Sequence, residues 1–187
     1  ADGAARAHVM LFERSAAPAS YPMITSAGSD TLIGWGALSG LVADAEKPGI
    51  LYGISDSFYS AAPAIFTIDA TAKPARITAA TPVTRGGDAA QLLDLEGITL
   101  DGKGGFWLAS EGNTAKMVPH GLLHVNAKGE IKEQIGLPPE LAANEVRFGF
   151  EGVAKVGDML WMAVQRERRD EPKGMVKLVA YTTETGE

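Results

Sequence analysis

Short apolar runs punctuated by turn residues give this chain its pattern. Runs rich in Val, Ile, Leu, Phe and Trp are bounded by Gly, Pro, Asp and Asn. They recur about every ten residues, which is the spacing of successive β-hairpins. A sustained helical period is hard to find anywhere along the sequence. The pattern therefore predicts an all-β fold.

The runs fall into two sets of four strands and a third set of three. The turns Asp101-Gly102-Lys103-Gly104-Gly105 and Asn126-Ala127-Lys128-Gly129 have hairpin composition. The predicted strands cover residues 35–43, 50–55, 64–69 and 76–83, then 95–100, 106–110, 122–125 and 131–137, then a strand from residue 150, 159–165 and 175–181.

The three sets resemble copies of one unit. Leu95-Glu96-Gly97-Ile98-Thr99 and Phe150-Glu151-Gly152-Val153-Ala154 are near copies whose glycines lie 55 residues apart (152 − 97). We align Trp35-Gly36-Ala37-Leu38 with them, 61 residues before Gly97 (97 − 36) and without the acid. Periods near fifty residues with four strands each are typical of β-propeller blades. The blades are predicted at about 34–84, 92–138 and 147–187.

A propeller of this size is incomplete, because closure takes at least about four blades. The chain is expected to be a fragment or processed half of a longer protein, or one of two copies that close a six-bladed ring. We expect the remainder of the same protein, or a second copy, to cover the first and third blades. A spare N-terminal strand at residues 8–15 serves as a missing outer strand in either case.

Acidic residues recur where the predicted blades meet the central channel. Glu96 and Glu151 begin innermost strands, while Asp56, Glu111 and Gln165 close the adjacent second strands. Blade symmetry brings these side chains to one end of the core. Carboxylate, amide and backbone oxygens are the ligands that Ca²⁺ prefers. We therefore predict a calcium site held by Asp56, Glu96, Glu111 and Glu151.

Arginines flank the same motifs and favour an anionic substrate. Arg147 and Arg166 bracket the third motif, and Arg85 precedes the second. Guanidinium groups bind phosphate or carboxylate groups in a bidentate manner. We predict catalytic roles for Glu96, Glu151 and Arg147 and substrate binding by Arg166 and Gln165. Arg168 and Arg169 lie in a mixed charge run and are expected in a solvated loop.

Composition narrows the functional classes. The chain has 17 basic and 23 acidic residues and a net charge of −6, which disfavours nucleic acid and anionic membranes. It has no cysteine, no Gly-x-Ser-x-Gly elbow and no apolar run of membrane-spanning length. Its histidines lack metal-site spacing, and His120 and His124 are expected on the surface or in loops. The start Ala-Asp-Gly-Ala-Ala suits a mature end after signal removal and slightly favours export.

Three motifs in order resemble the phytase-like esterase family, which is described by an esterase-like activity of phytase. The resemblance covers roughly residues 34–187. The first motif is Gly36-Ala37-Leu38-Ser39-Gly40-Leu41 with Leu51-Tyr52-Gly53-Ile54-Ser55-Asp56, and the second is Asp94-Leu95-Glu96-Gly97-Ile98 with Gly105-Phe106-Trp107-Leu108-Ala109-Ser110-Glu111-Gly112. The third is Gly149-Phe150-Glu151-Gly152-Val153 with Leu160-Trp161-Met162-Ala163-Val164-Gln165.

The resemblance implies a periplasmic or secreted bacterial protein, a propeller longer than this chain, and calcium-assisted hydrolysis of phosphate or other esters. It places Asp56, Glu96, Glu111 and Glu151 on the family's acidic motif positions. The alternative is a non-catalytic propeller in which the same acids hold a structural calcium ion and the faces bind a protein or glycan, since a fold hosts many functions.

Overall fold

A computed structural model describes residues 23–28, 32–60, 62–145 and 147–186 of this chain. The described part is almost entirely β-sheet, as the sequence predicts. The spare strand predicted at residues 8–15 lies outside the described residues. No helix in the described ranges is long and apolar enough to cross a membrane.

The first sheet has five strands in the spatial order β1-β5-β4-β3-β2. Its innermost strand in the blade is β2 and its outer edge is β1, which pairs parallel to β5. All the other pairs in this sheet are antiparallel. The strands are β1 (Ile24–Thr25), β2 (Leu38–Ala43), β3 (Ile50–Ser55), β4 (Ala64–Asp69) and β5 (Ala75–Pro82).

A small hairpin leads from the first sheet to the second. It pairs β6 (Thr84–Arg85) with β7 (Asp88–Ala89). The second sheet then follows as an antiparallel meander in the order β11-β10-β9-β8. Its strands are β8 (Leu95–Leu100), β9 (Phe106–Ser110), β10 (Gly121–Val125) and β11 (Ile131–Gly136).

The third sheet has three strands in the described residues. The short helix α1 (Pro139–Ala142) leads into it. β12 (Phe150–Val156) pairs with β13 (Met159–Val164), which pairs with β14 (Leu178–Thr182). In each sheet the antiparallel strands therefore follow the chain from the innermost strand outward, which is the order of a propeller blade, and the first sheet adds β1 at its outer edge. The fold is an all-β, partial propeller-like array of three sheets.

Apolar side chains between successive sheets form the core. Ile54 and Ile65 of the first sheet pack against Leu95, Leu108 and Leu123 of the second. Trp107, Ala109 and Leu122 on the other face of the second sheet pack against Phe150, Leu160, Met162 and Val164 of the third. The outer face of the first sheet is covered by the chain's own residues Ile24, Ile33 and Trp35.

A β-bulge marks the start of each innermost strand and corrects the predicted alignment of the repeat. The residue left without a partner is Ser39 in β2, Glu96 in β8 and Glu151 in β12. Gly40, and not Gly36, is therefore equivalent to Gly97 and Gly152. The acid is absent from the first sheet, as predicted, and Ser39 stands in its place. Bulges re-aim side chains at the ends of sheets.

Candidate functional site

The site lies at the end of the array where innermost strands begin and second strands end. The bulges present Glu96 and Glu151 there, and Asp56 and Glu111 directly follow β3 and β9. The carboxylates predicted from the sequence are thus gathered at one end. These carboxyls act on one another electrostatically, because the charge of a neighbouring acid contributes to the raised pKa of each of Glu96, Glu111 and Glu151.

Three of the acids form the tightest group. One carboxylate oxygen from each of Asp56, Asp94 and Glu96 lies within 4.8 Å of the others. Asp94 is a residue that sequence reasoning quoted only as part of a motif and did not assign to the site. Its position directly before Leu95-Glu96 was the available signal, but the third motif has Gly149 at that place, so the repeat did not point to it.

Hydrogen bonds to backbone groups connect this group across two sheets. Oδ1 of Asp94 accepts a hydrogen bond from the Ser57 amide at 3.1 Å, and the carbonyl of Asp94 accepts one from the Glu111 amide at 2.6 Å. Asp56 caps the 3-10 turn Ser57–Tyr59, since its Oδ1 accepts a hydrogen bond from the Phe58 amide at 2.7 Å. The acids therefore remain close although their charges repel.

Burial sets the protonation of the deeper carboxyls. Burial, together with the charges of Glu151, Asp56 and Asp94, raises the pKa of Glu96 to about 7, although the hydrogen bond that the Ser39 hydroxyl donates to its Oε2 acts to lower it. Burial and the neighbouring acids also raise the pKa of Glu111 to about 7. Desolvation in a low dielectric disfavours the charged form of a carboxyl.

Glu111 and Glu151 form a second unit beside the tight group. Burial raises the pKa of both carboxyls, and their mutual interaction raises the pKa of Glu111 further while it acts to lower that of Glu151. Oε1 of Glu111 is buried and has no hydrogen-bond donor among the residues that the structure describes. A buried acceptor without a donor is costly unless a cation or a donor on a ligand satisfies it.

Arg147 and Arg166 lie on the ring of Phe148 at the edge of this acidic group. Their guanidinium carbons are 4.8 and 4.1 Å from the ring centroid. Phe148 has a φ of 72°, which is uncommon for a bulky residue and marks a strained position. Arg147 also lies near enough to Asp56 to lower its pKa, against the larger effect of burial that raises it.

The structure also places Gln165 and Arg85, which the sequence analysis singled out. Gln165 follows β13, its backbone N–H donates a hydrogen bond to the Gly149 carbonyl at 2.9 Å, and its side chain is exposed. Arg85 forms its hydrogen bond elsewhere, because its Nη2 donates to Gln134 Oε1 at 2.6 Å on the second sheet. Neither arginine of the Phe148 pair forms an ion pair with a carboxylate among the described residues.

His120 lies in the loop before β10, which is one of the two expected positions, but it is buried there and not exposed. The side chain is 2% exposed, and its Nε2 lies 2.8 Å from Glu145 Oε1. The ring fits between Gly112 and Gly149, where a Cβ would lie 1.7 and 1.8 Å from ring atoms. Gly112 follows Glu111 and Gly149 precedes the Phe150-Glu151 bulge. The glycines of these motifs therefore admit a side chain that packs beneath the acids.

Arg168 is also buried, in contrast to the solvated loop expected for it. It is 4% exposed, and its Nη2 donates to the Leu141 carbonyl at 2.6 Å. It thus connects the loop after β13 to α1. An apolar cavity of about 360 Å³ lies nearby between the second and third sheets, lined by Leu122, Phe150, Met162 and Tyr181 among others. None of the clustered acids lines it.

The fold and site define a partial propeller-like protein with an acidic mouth flanked by two arginines. The family model described as "Phytase-like: Esterase-like activity of phytase" matches residues 33–187. The chain therefore belongs to this phytase-like family. No curated protein matches the chain, and no solved structure matches it.

Proposed function

We propose that this chain forms part of a calcium-assisted hydrolase that acts on an anionic ester, a phosphate ester above all. The observation that supports the proposal is the placement of five carboxylates beside two arginines that are not paired with acids among the described residues. A phytase-like family with esterase-like activity favours the same class of reaction.

The donor set fits calcium. Asp56, Asp94 and Glu96 supply oxygens within 4.8 Å of one another, and the buried Oε1 of Glu111 is a further oxygen without a donor in the described chain. Ca²⁺ takes six to eight oxygens in flexible geometry, and the chain has no cysteine to favour a softer ion. When bound, the ion would polarise the ester oxygen and neutralise developing negative charge.

The arginines would bind and orient the anionic group. Both guanidinium groups contact the Phe148 ring, which restricts their positions, so less side-chain entropy is lost when they bind an oxyanion. Arg147 also places positive charge next to Asp56. Arg147 therefore lies between the acidic group and the edge where the arginines would bind the anion.

The Glu111–Glu151 pair would handle the proton. Burial raises the pKa of both carboxyls, that of Glu111 to about 7, so near neutral pH Glu111 is available in both protonation states. A carboxylate oxygen can accept a proton from the attacking water, and the protonated partner can donate one to the departing ester oxygen. The water oxygen then forms a bond to the phosphorus or carbonyl carbon as the ester bond breaks, so the proton balance closes within the pair.

Hydrolysis of 4-nitrophenyl phosphate and of inositol hexakisphosphate tests the proposal. We expect turnover with calcium that is lost with chelator, and a KM at least about tenfold higher in Arg166→Ala than in the exposed control Arg169→Ala. Calcium that raises the melting temperature without turnover of either ester would instead favour the binding-module alternative with a structural ion.

We also propose a periplasmic or secreted location, which the family resemblance and the calcium hypothesis favour. Extracellular calcium modules work at millimolar calcium, with dissociation constants of about 10⁻⁴–10⁻³ M. Fractionation of the source cells tests this point, and recovery of the protein in the cytosol would contradict it.

A further inference from the structure

Large apolar side chains are exposed in the loops that surround the clustered acids. Phe58 is 74% exposed, Tyr59 50%, Leu92 57% and Met117 80%, and we call these four residues the apolar rim. The turns at the opposite end of the array contain no aromatic residue and no Leu, Ile, Val or Met. Those turns cover residues 44–49, 70–74, 101–105, 126–130 and 157–158. Exposed apolar side chains therefore mark the loops at the acidic end and not the turns at the other end.

The aromatic pair of the rim is fixed beside Asp56. Phe58 lies two residues after Asp56, so their Cα atoms are at most about 7 Å apart. The Phe58 and Tyr59 rings pack edge to face, with centroids 5.0 Å apart. A Cβ on Gly36 would lie 2.7 Å from a carbon of the Tyr59 ring, so this ring rests on the backbone that leads into β2. Two aromatic rings therefore lie next to an acid of the tight group.

The aliphatic members of the rim lie beside the acids of the second sheet. Leu92 precedes Asp94 by two residues, so here too the Cα atoms are at most about 7 Å apart. The loop that carries Met117 begins after Glu111 and folds back on itself. Asn113 exchanges two backbone hydrogen bonds, of 2.8 and 3.0 Å, with the residue that follows Met117. This closure returns Met117 to the start of the loop, close to Glu111.

The backbone at the acidic end holds side chains in conformations that glycine adopts more easily. In the described ranges, every non-glycine residue with a positive φ lies in a loop at this end; these are Ala37, Ser60, Leu92, Met117 and Phe148. In the hairpin turns at the opposite end, the residues with positive φ are glycines. Leu92 and Met117 each have a φ of 56°, and Met117 ends a 3-10 turn, where glycine is usual. A bulky residue in this conformation costs stability, and these two side chains recover little of it because they are mostly exposed.

We propose that the apolar rim binds an aromatic ring carried by the anionic ester, so that the site prefers aryl esters to esters of a polyol. Contact with the ring would bury apolar surface on both partners. The hydroxyl groups of a polyol would instead lose water against side chains that offer them no hydrogen bond. The anionic half of this ligand rests on the proposed function, whereas the aromatic half rests on the rim alone.

Benzylphosphonate and methylphosphonate test the preference, because they share the anionic group, differ by the ring and are not hydrolysed. In calorimetry with calcium present, the wild type should bind benzylphosphonate at least about tenfold more tightly than methylphosphonate. Leu92→Gly and Met117→Gly should each weaken benzylphosphonate at least about threefold and leave methylphosphonate unchanged. The control Val156→Ala, at an exposed apolar residue of the opposite end, should alter neither affinity.

Two outcomes of this titration would overturn the proposal. One is equal affinity of the wild type for the two phosphonates. The other is an equal loss of affinity for both phosphonates in the two glycine variants, because the rim would then act on the anion-binding group and not on the ring.

Melting temperatures separate a binding role of the rim from a structural one. Glycine relieves the positive φ at positions 92 and 117, so the melting temperature of each variant should lie within about 2 °C of the wild type or above it. A larger fall in both variants would show that the two side chains stabilise the fold, and would overturn the proposal.

Benzyl alcohol has the ring without the anion and separates failure of the rim from failure of the proposed hydrolysis. In protein with ¹³C-labelled methionine methyl groups, it should shift the Met117 signal, which is assigned by its loss in Met117→Gly. The signal of Met159, at the opposite end, should stay in place. If neither phosphonate binds but Met117 shifts, the proposed function is contradicted and the rim is supported.

An unshifted Met117 signal would overturn the inference. Sedimentation gives a last check on the occupant of the rim. A dimer that Phe58→Ala disperses would identify a second copy of the chain as the occupant, and would overturn the assignment to a substrate ring.

Discussion

Glu111→Gln removes one buried negative charge from the mouth while it nearly preserves the shape of the side chain. In calcium-free protein this carboxyl is 5% exposed and repelled by Glu151, Asp94 and Glu96. We therefore expect the substitution to stabilise the calcium-free fold at pH 8. We expect the same substitution to weaken calcium binding, since it removes a ligand charge.

The size of the effect follows from the pKa of Glu111, which burial and neighbouring charges raise from an ordinary 4.5 to about 7. A difference of this size corresponds to ~3 kcal/mol of penalty for the charged form at pH 8. Because Glu96 and Glu151 share the repulsion and relax when one charge is removed, we expect a gain of about 1–3 kcal/mol. For a chain of this length that gain raises the melting temperature by roughly 2–10 °C.

The assay is thermal unfolding in chelator at pH 8 and at pH 4, with Glu46→Gln as the exposed control. At pH 4 the carboxyl of Glu111 is protonated in the folded protein, so the stabilising effect of Glu111→Gln should largely disappear. Equal melting temperatures of wild type and Glu111→Gln at pH 8 would refute the reasoning. An equal gain at both pH values would refute it as well, because the gain would then not be electrostatic.

The remaining predictions concern the same group of acids. In chelator, the stability of the wild type should fall as pH rises from about 4.5 to about 7, because folded Glu96 and Glu111 bind protons that the unfolded chain has released; a rise over this range would contradict their raised pKa values. Asp94→Asn should weaken calcium binding by about tenfold or more in calorimetry, and equal affinity would exclude this residue from the metal site. Glu151→Gln should weaken calcium binding more than Glu167→Gln, which lies outside the bulge motif; equal affinities in the two variants would remove the case for a motif-based site. Gly112→Ala should destabilise the fold by about 2 kcal/mol or more in denaturant unfolding, since its methyl would overlap the buried His120 ring.

The sequence was sufficient for most of the long strands and for the place of two of the acids. Apolar alternation interrupted by Gly, Pro, Asp and Asn located β3, β4, β8 and β9 at their observed bounds, because each strand has one or two buried faces and a clear turn on either side. The Glu96-Gly97 and Glu151-Gly152 repeat placed two acids correctly, since a repeated motif on a repeated sheet must return to the same end of the array.

Only the tertiary structure decided the register of the first motif and the membership of the site. The bulge at Ser39 aligns Gly40 with Gly97 and replaces the alignment of Gly36 that was made from the sequence. Asp94 joins Asp56 and Glu96 through contacts between different sheets, and such contacts leave no spacing signal in the chain. His120 and Arg168 are polar residues in loops, where composition favours exposure. His120 is buried because Gly112 and Gly149 leave room for its ring, and Arg168 is buried because it packs against α1. The sequence shows the local preference of a residue, whereas its burial depends on the segments that pack around it in the folded chain.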